Sequence, residues 1–334
     1  MFRQREPTKP NMVNRVAVLG GGWSVEAEVS RSSARQICSA LEAKYDVSYI
    51  ELTNALAQDL IEVDPQVVFP VLHGVPGEDG TVQGFLELMD YAFVGSDMVA
   101  SVISMNKSFS KQQFRQYNLP ILDEVLVTAK NLDEALSQIR GKFSNGVVCK
   151  PIHGGSAVGV EIVPLGANIR QAIENSLQFD DQVLVEPYVQ GREITVGVLD
   201  LHDSTIQALP VTEILVAPNE WYDFTNRYAI GKSEHVIPAK IDNAVTKELQ
   251  QVAILAHQSL GCRDFSRVDF LLEPSDHFWV LEVNNIPGMT PTSLYPDGAR
   301  AIGIEFEDLT DKLVQSAIAR GSIRKFSNIM QLPT

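Results

Sequence analysis

Cysteine is scarce in this sequence, and its apolar runs are short. The 334 residues include three cysteines, Cys38, Cys149 and Cys262, which lie far apart and form no CxxC pair. This pattern excludes a disulfide framework and favours buried thiols in a reducing cytosol. No apolar run approaches the about 20 residues that a helix needs to cross a bilayer, and residues 1–14 lack the apolar core of a secretory signal. We therefore expect a cytoplasmic location and no membrane partner.

Basic charge is also scarce. The chain carries 27 basic and 42 acidic residues, a net charge of −15, and it has no dense cluster of lysine and arginine. A nucleic-acid-binding surface needs the opposite sign, so we expect no nucleic-acid partner. The hydrophobic fraction of 45% is ordinary for a globular protein. The acidic excess is explained most simply by solubility.

The first part of the chain alternates strand-like and helical patterns. Residues 1–14 are predicted to be a disordered leader, in which Met12 is a candidate natural start. Short apolar runs predict strands at 15–20, 47–50 and 67–72. A helical pattern with one apolar face follows the first run. This alternation predicts a parallel α/β domain over residues 15–101.

The remaining chain predicts two α+β domains, at 102–192 and 193–322, and a tail at 323–334. The first of them contains predicted helices at 102–117 and 169–177 and predicted strands at 147–149, 160–163 and 183–185. The second contains predicted strands at 194–199, 206–214, 268–272 and 278–283 and predicted helices at 244–260 and 306–320.

Two pairs of polar residues mark a predicted hairpin near the end of the chain. Arg267 and Asp269 are two residues apart, as are Glu282 and Asn284, so each pair shares one face of its strand. Asp269, Glu282 and Asn284 supply hard oxygen ligands of the kind that Mg²⁺ prefers, together with substrate phosphates. The alternative is the polar outer face of an amphipathic hairpin.

Two glycine-rich loops each follow a strand. Lys150 opens the segment KPIHGGSAVG, whose glycines let backbone N–H groups approach an anion, although the order of residues is not that of a Walker A loop. The alternative is a flexible hairpin loop. Gly20–Gly22 lacks the spacing GxGxxG, and Glu51 is poorly placed for a ribose, so dinucleotide binding and a nicotinamide-dependent oxidoreductase are disfavoured. Glu26 favours the helix dipole or binds a substrate ammonium.

Two further segments carry candidate site residues. His73 ends a buried strand beside the loop GEDGT, at the edge where α/β sheets bind ligands. The aromatic segment 221–228, WYDFTNRY, suggests a lid over a ligand. A structural histidine and a surface loop packed onto the core are the respective alternatives.

Eight segments in this order resemble the D-alanine–D-alanine ligases of the ATP-grasp superfamily, over about residues 15–320. They read VAVLGGGWSVEAEVS, LHGVPGEDGTVQGFLE, MNK, VVCKPIHGGSAVGV, LVEPYVQGREITV, WYDFTNRY, RVDF and LEVNNIPGMTPTSLYP. The resemblance implies an ATP-grasp fold, with an N-terminal Rossmann-like (preATP-grasp) α/β domain, a small central α+β domain and a C-terminal α+β domain. It also implies ATP-dependent ligation of two D-alanine molecules through a D-alanyl-phosphate, for peptidoglycan precursor synthesis.

The resemblance further implies roles for individual residues. ATP would be bound by Lys107, Lys150, Glu186, Tyr188, Val189, Glu193 and Arg227. Two Mg²⁺ ions, for which Mn²⁺ can substitute, would be held by Asp269, Glu282 and Asn284. The catalytic set would be Glu26, Ser156, Tyr228, Arg267 and Gly288, and the amino acids would contact His73, Ser293 and Leu294. Arg267 and the N–H of Gly288 would stabilise the oxyanion, and Glu26, Ser156 and Tyr228 would form one hydrogen-bond network.

The sequence departs from the family pattern at four positions: Trp23, Ala27, Gly154 and Arg227. None of them removes a predicted metal ligand or Lys150. The remaining alternatives are a sister ligase that uses D-lactate or D-serine as the second substrate and an ATP-binding protein without catalysis. Tyr228 favours the dipeptide-forming branch, and the intact predicted ligands disfavour loss of activity. A homodimer is expected from the resemblance.

Overall fold

The computed structural model describes residues 14–216 and 233–322. Their strands form three sheets, one parallel and two antiparallel, and helices pack against each sheet. Among these residues no helix is both long enough and apolar enough to span a membrane.

The first sheet is parallel, with the strand order β2-β1-β3-β4. Its strands are β1 (Arg15–Gly20), β2 (Asp46–Glu51), β3 (Val67–Pro70) and β4 (Ala92–Phe93). Its helices are α1 (Ala27–Leu41), α2 (Leu56–Val63) and α3 (Thr81–Leu88). The predicted apolar face of α1 is confirmed, because Ala34, Ile37 and Leu41 are fully buried in the core with β1 and β3.

The helix predicted at 102–117 is in fact two helices, so that prediction was wrong. They are α4 (Met98–Met105) and α5 (Lys107–Gln116). Asn106 has an extended backbone, and its side-chain oxygen accepts a hydrogen bond from the N–H of Phe109. Asparagine competes for local backbone N–H groups in this way and therefore favours a helix cap over a helix interior. The break places Lys107 at the start of α5.

The second sheet is antiparallel, with the order β5-β8-β6-β7. Its strands are β5 (Val125–Thr128), β6 (Val147–Pro151), β7 (Glu161–Val163) and β8 (Gln182–Pro187). The helices α6 (Leu132–Lys142) and α7 (Ile169–Ser176) cover one face. Because side chains alternate along a strand, Val147 and Cys149 of β6 enter that core whereas Val148 and Lys150 line a cleft on the other face.

The third sheet is also antiparallel, with the order β12-β11-β9-β13-β14 and with β10 paired to β9. Its strands are β9 (Arg192–Asp200), β10 (Gln207–Ala208), β11 (Thr212–Val216), β12 (Ser233–Val236), β13 (Asp264–Leu272) and β14 (Phe278–Asn284). Helix α8 (Asn243–Ser259) packs on it. The strand predicted at 206–214 is split into β10 and β11. Pro210 lies in the gap, and proline cannot donate to a ladder.

Two helices close the chain: α9 (Leu294–Arg300) and α10 (Phe306–Arg320). The apolar face of α10 packs against the first sheet, although α10 follows the third sheet in the chain. Asp264, fully buried at the start of β13, accepts hydrogen bonds from Arg320 and from the N–H of Gly95. The core thus joins the first and third sheets, while the predicted domain boundaries at 101/102 and 192/193 stay predictions.

Candidate active site

Two adjoining cavities lie where the three sheets meet. The first cavity, about 700 Å³, lies between the second and third sheets. The second cavity, about 860 Å³, lies between the first sheet, the loop 153–159 and the third sheet. Both are lined by Lys107, Gly154, Gly155 and Glu282. Each candidate site residue within 14–216 and 233–322 lines at least one of them.

The predicted hairpin of β13 and β14 is confirmed, and its register places four polar residues on one face. Arg267 lies opposite Asn284, and Asp269 lies opposite Glu282. A bulge follows Asp269 and shifts the register beyond it. Directly opposed side chains on an antiparallel pair project to the same side. Asp269 therefore faces the first cavity, Arg267 and Asn284 face the second, and Glu282 reaches both.

The carboxylate of Asp269 is held in a fixed orientation. Arg267 donates from Nε and Nη2 to the two carboxylate oxygens, at 2.8 Å each, and the hydroxyl of Thr195 donates at 2.6 Å. Arg267 and Asp269 are 7% and 9% exposed. A bidentate pair of this kind is planar and directional. The site therefore presents a buried cation and a buried carboxylate on one rigid strand.

The oxygen donors of this hairpin fit a magnesium ion that is also bound by phosphates. Among the described residues, no group of three histidine, cysteine or acidic side chains forms a closed metal cage. Mg²⁺ usually binds through one or two carboxylates together with waters and substrate phosphates. Asp269 and Glu282 are such carboxylates. The amide oxygen of Asn284 accepts one hydrogen bond, from the N–H of Ile286, and keeps a second lone pair.

A buried set of opposite charges lines the first cavity. The Nζ of Lys150 lies 2.6 Å from Glu186, and Lys111 makes a hydrogen bond to the other oxygen of that carboxylate. Burial raises the pKa of Glu186, but the two ammonium groups outweigh it and hold that pKa at about 2. Burial opposes the charge of Lys150 as well, and the Glu186 carboxylate raises the pKa of Lys150 above its usual value. Both groups stay ionised at neutral pH.

Lys107 lies at the junction of the cavities. Its Nζ donates to the carbonyl oxygen of Gly154 at 2.6 Å and lies 4.0 Å from Glu282. Burial lowers the pKa of Lys107 because the charged form is desolvated. An anion at this junction would restore part of that lost solvation.

The other candidates for ATP binding line the far side of the first cavity. Glu186, Tyr188 and Val189 lie at and after the end of β8, and Glu193 lies at the start of β9. Leu281 and Ile194 add apolar surface to the lining of this cavity. The cavity thus combines an apolar wall with polar groups at its rim, as small-molecule sites commonly do.

The loop 153–159 reaches the first sheet through Ser156. The Ser156 hydroxyl donates a hydrogen bond to Glu26, and both side chains are buried. Ser156 and Ala157 have φ values of 52° and 59°. Non-glycine residues in this left-handed region carry a conformational cost and occur preferentially at functional sites. Of the predicted network of Glu26, Ser156 and Tyr228, the structure describes the first two, and they are in contact.

The remaining candidates surround the second cavity. His73 is buried beyond the carboxyl end of β3, with its Nδ1 3.9 Å from Glu78. Gly288, Ser293 and Leu294 lie in the chain between β14 and α9 or at the start of α9. The backbone N–H of Thr290 donates to the Ser293 hydroxyl at 3.1 Å, which fixes this segment beside Gly288. The structure brings these residues together as the sequence predicted, and their individual roles stay predictions.

Two candidate residues, Arg227 and Tyr228, lie outside the described residues, as does the predicted lid at 221–228. The other three departures lie near the site. Trp23 is 63% exposed, Ala27 is buried at the start of α1, and Gly154 has a φ of 123°. That φ explains a glycine at position 154, because other residues rarely adopt it.

The glycine turn after β1 differs from the loop 153–159, because side chains fill the space behind it. Glu51 accepts hydrogen bonds from Arg31, at 2.8 and 3.0 Å, and from the N–H of Gly22 at 3.3 Å. A Cβ on Gly21 would lie 2.0 Å from the Glu51 carboxylate. The Glu51 carboxylate is therefore already bound to arginine.

The sequence reading missed several residues of the site. Lys111, 3% exposed, neutralises Glu186, and Thr195 orients Asp269. The carbonyl of Glu78 accepts from Asn285 at 3.2 Å and links the first and third sheets. Lys111 lies four residues after Lys107 on α5, and this helical spacing was the one signal that could have revealed it.

Two family models match the chain. The model described as D-ala D-ala ligase C-terminus matches residues 114–315, and the model described as D-ala D-ala ligase N-terminus matches residues 54–96. The D-alanine–D-alanine ligase of Halalkalibacterium halodurans is 38% identical over 92% of this chain and 100% of that protein. The D-alanine–D-alanine ligase of Sphingopyxis alaskensis is 40% identical over 91% and 97%.

Solved structures with the same fold cover nearly the whole chain. The VanG D-Ala:D-Ser ligase from Enterococcus faecalis superposes with a TM-score of 0.81 at 29% identity, over 92% of this chain and 100% of that chain. The D-alanine–D-alanine ligase from Bacillus anthracis complexed with ATP superposes with a TM-score of 0.77 at 29% identity, over 92% and 98%.

Proposed function

The chain belongs to the D-alanine–D-alanine ligase family, and on that premise we propose that it uses ATP to join two D-alanine molecules into D-alanyl-D-alanine. It has the predicted ATP-grasp fold and is an ATP-dependent ligase. The relatives at 37–40% identity bear the D-alanine–D-alanine name, which disfavours D-lactate or D-serine as the second substrate. The peptidoglycan precursor role follows from this product.

The main support for the proposal is that the two cavities adjoin. A ligase of this type must bring the terminal phosphate of ATP to the carboxylate of an amino acid. Lys107, Gly154, Gly155 and Glu282 line both cavities, so a phosphate at the end of the first would meet a carboxylate at the end of the second. Positioning of the two reactants supplies much of the catalysis in phosphoryl transfer.

The charges of the first cavity suit a nucleoside triphosphate. Lys150 and Lys107 would contact the phosphates, Glu186, Tyr188 and Val189 the adenine, and Glu193 the ribose. Glu186 keeps Lys150 charged and oriented before ATP binds. A preorganised ammonium group stabilises charge on the transferring phosphoryl group without reorganisation during the step. Arg227 would add a further positive charge at these phosphates.

Asp269, Glu282 and Asn284 would hold two Mg²⁺ ions, for which Mn²⁺ can substitute, and these ions supply neutralisation of the phosphate charge. The Arg267–Asp269 pair would contact both the nucleotide and the amino-acid substrates. Asp269 faces the nucleotide, whereas Arg267 faces the amino acids, where with the N–H of Gly288 it would stabilise the oxyanion of the tetrahedral intermediate.

The second cavity would bind the amino acids. Glu26, beside His73, would bind the ammonium of the first D-alanine, and Ser293 and Leu294 would bind the carboxylate of the second. The first carboxylate then attacks the γ-phosphate to form D-alanyl-phosphate. The amine of the second D-alanine attacks that carbonyl carbon, and phosphate leaves. Ser156 connects the loop over the phosphates with Glu26, and Tyr228 would extend this network, so that water is excluded while the acyl-phosphate exists.

We also propose a cytoplasmic homodimer, because ATP and D-alanine are cytoplasmic substrates and the family resemblance implies a dimer. Sedimentation of the full chain would show a mass near twice 36.8 kDa. A monomer at assay concentrations would contradict this part of the proposal.

The test of the proposed function is the reaction itself. The full-length protein is incubated with ATP, Mg²⁺ and D-alanine, phosphate release is followed, and the product is identified by mass spectrometry. Parallel reactions offer D-lactate or D-serine beside D-alanine. Phosphate release that requires D-alanine and yields the dipeptide supports the proposal. Release of phosphate with a different product reassigns the second substrate, and no release with any acceptor contradicts the ligase assignment.

A further inference from the structure

The second cavity contains a histidine–carboxylate pair that the roles above leave unused. His235 lies on β12 and Asp297 lies in the first turn of α9. The Nδ1 of His235 is 2.9 Å from Oδ2 of Asp297, and each side chain is 19% exposed. Both line the second cavity together with Arg267, Gly288 and Ser293. The pair is therefore largely buried and opens toward the predicted amino-acid site.

Neighbouring groups fix the positions of His235 and Asp297. Arg300 donates to the other oxygen of Asp297 at 2.7 Å. On β12, His235 is paired with Ile214 of β11 in an antiparallel ladder. Ser233, two residues earlier on the same strand face, also lines the cavity. The orientation of the imidazole is thus set by a sheet on one side and a fixed carboxylate on the other.

The carboxylate defines which ring nitrogen can act as a base. Asp297 is an acceptor, so the pair is satisfied when Nδ1 of His235 carries the proton and donates it. Nε2 then holds the lone pair. A carboxylate fixes the tautomer and stabilises the imidazolium in the same way wherever a His–Asp pair activates a nucleophile.

On the premise of the proposed function, we propose that His235, oriented by Asp297, is the base that removes a proton from the ammonium group of the second D-alanine. Asp297 lies four residues after Ser293, so it is about 6 Å along the helix from the predicted site of the acceptor carboxylate. The ammonium of an amino acid lies within that range of its own carboxylate.

One N–H proton of the ammonium moves to Nε2 of His235, and the freed electron pair forms a C–N bond to the acyl-phosphate carbonyl carbon. The tetrahedral intermediate collapses, the C–O bond to phosphate breaks, and phosphate leaves with that electron pair. A second proton passes from the nitrogen to the departing phosphate, and His235 returns its proton to solvent.

Hydroxylamine distinguishes deprotonation of the second D-alanine from formation of the acyl-phosphate. It is largely unprotonated at neutral pH, so it attacks an acyl-phosphate without needing a base, and the hydroxamate product is easily measured. The full-length wild type, His235→Asn and the control His202→Asn are each given ATP, Mg²⁺ and D-alanine, with and without hydroxylamine. His202 lies beyond β9 and lines neither cavity.

We expect His235→Asn to form dipeptide about a hundredfold more slowly while hydroxamate formation stays within about twofold of wild type, as loss of a general base requires. Asp297→Asn should lose at least about tenfold in dipeptide formation, because an amide no longer enforces the tautomer. His202→Asn should match wild type in both reactions.

Two results would overturn the inference: dipeptide formation by His235→Asn at the wild-type rate, or an equal fall of dipeptide and hydroxamate formation, which indicates a structural role. A wild-type protein that forms neither product would instead contradict the proposed function. The two failures are thus distinguishable.

Discussion

The two glycine-rich loops of this protein each follow a strand, and they have different surroundings. Behind Gly20–Gly22, the Glu51 carboxylate and Arg31 occupy the space, and a Cβ on Gly21 would lie 2.0 Å from Glu51. Beside Gly154 in the loop 153–159 there is open space, since a Cβ there would meet nothing within 4 Å, whereas Gly159 at the end of this loop packs against Phe179. The first loop is filled by the protein itself, whereas the second opens onto both cavities.

Glycine content therefore indicates where a backbone can approach a ligand, not whether there is room for one. Lys150 and Lys107 line the space beside the second loop, and Glu186 holds Lys150 in its charged form. The first loop has no comparable lysine among the described residues that contact it. The charged groups beside a loop therefore decide its function.

Removing the lysine beside the second loop should have the largest effect. Lys150→Gln should lower kcat by about a hundred- to a thousandfold, because a preorganised charge that stabilises the transferring phosphoryl group is lost. Lys247→Gln, an exposed lysine on α8, is the matched control and should match wild type. Steady-state phosphate release measures both. A fall of less than about threefold for Lys150→Gln would mean that this loop does not serve the chemical step.

Removing the carboxylate that holds this lysine should mainly affect stability. Glu186→Gln removes the carboxylate partner of buried Lys150 and one of the two carboxylate partners of buried Lys111, which keeps Glu124. The substitution should lower the free energy of unfolding by about 3 kcal/mol at neutral pH. Because the pKa of Glu186 is about 2 in the folded protein and 4.5 ordinarily, its contribution is fully present above pH 4.5 and is lost as the pH falls toward 2.

Urea unfolding at a series of pH values tests this prediction, with the exposed Glu248→Gln as the control. The stability difference between wild type and Glu186→Gln should shrink as the solution is acidified through that window. A difference that stays constant with pH would show that the ionised carboxylate is not its source.

Alanine substitutions in the two loops should separate crowding from backbone strain. Gly21→Ala combines a φ of +78° with a clash and should cost about 2–3 kcal/mol of stability, with ATP affinity unchanged. Gly154→Ala introduces backbone strain without a clash and should lower the free energy of unfolding by about 1 kcal/mol. It should also weaken ATP binding. Gly303→Ala, with a φ of +83° and nothing within 4 Å, measures strain alone. Equal stability losses for all three variants would contradict the crowding argument.

Neutralising the group that fills the first loop should have the smallest effect. Glu51→Gln weakens a half-exposed ion pair to Arg31 and should lower the free energy of unfolding by less than about 1 kcal/mol. Turnover should stay at the wild-type value, because this carboxylate lines neither cavity. The midpoint of urea unfolding and the steady-state rate measure the two quantities. A clear loss of turnover would place the first loop in the active site after all.

Much of the site was predictable because its signals are local. The alternation of polar and apolar residues predicted the β13–β14 hairpin and the shared face of Asp269, Glu282 and Asn284. The order of eight motifs predicted the other candidate residues that line the two cavities, although it indicated neither His235 nor Asp297. Individual strands and helices whose apolar residues recur with a clear period were likewise predictable from the sequence.

The features that the sequence reading missed depend on contacts between distant segments. Asn106 ends one helix and caps the next, and although asparagine favours such a cap, the helical pattern continues on both sides of it and hid the break. The pairing of His235 with Asp297 joins residues that lie 62 positions apart. The packing of α10 on the first sheet likewise depends on tertiary contacts, which leave no periodic pattern in the chain.

We propose that the loop 153–159 with Lys150 beside it, and not the glycine turn after β1, binds the nucleotide. Calorimetric titration of ATP with Mg²⁺ into wild type, Lys150→Gln and Gly21→Ala tests it most directly. We expect wild type and Gly21→Ala to bind with the same Kd and Lys150→Gln to bind at least about tenfold more weakly. Equal binding by wild type and Lys150→Gln, with the loss confined to Gly21→Ala, would contradict it.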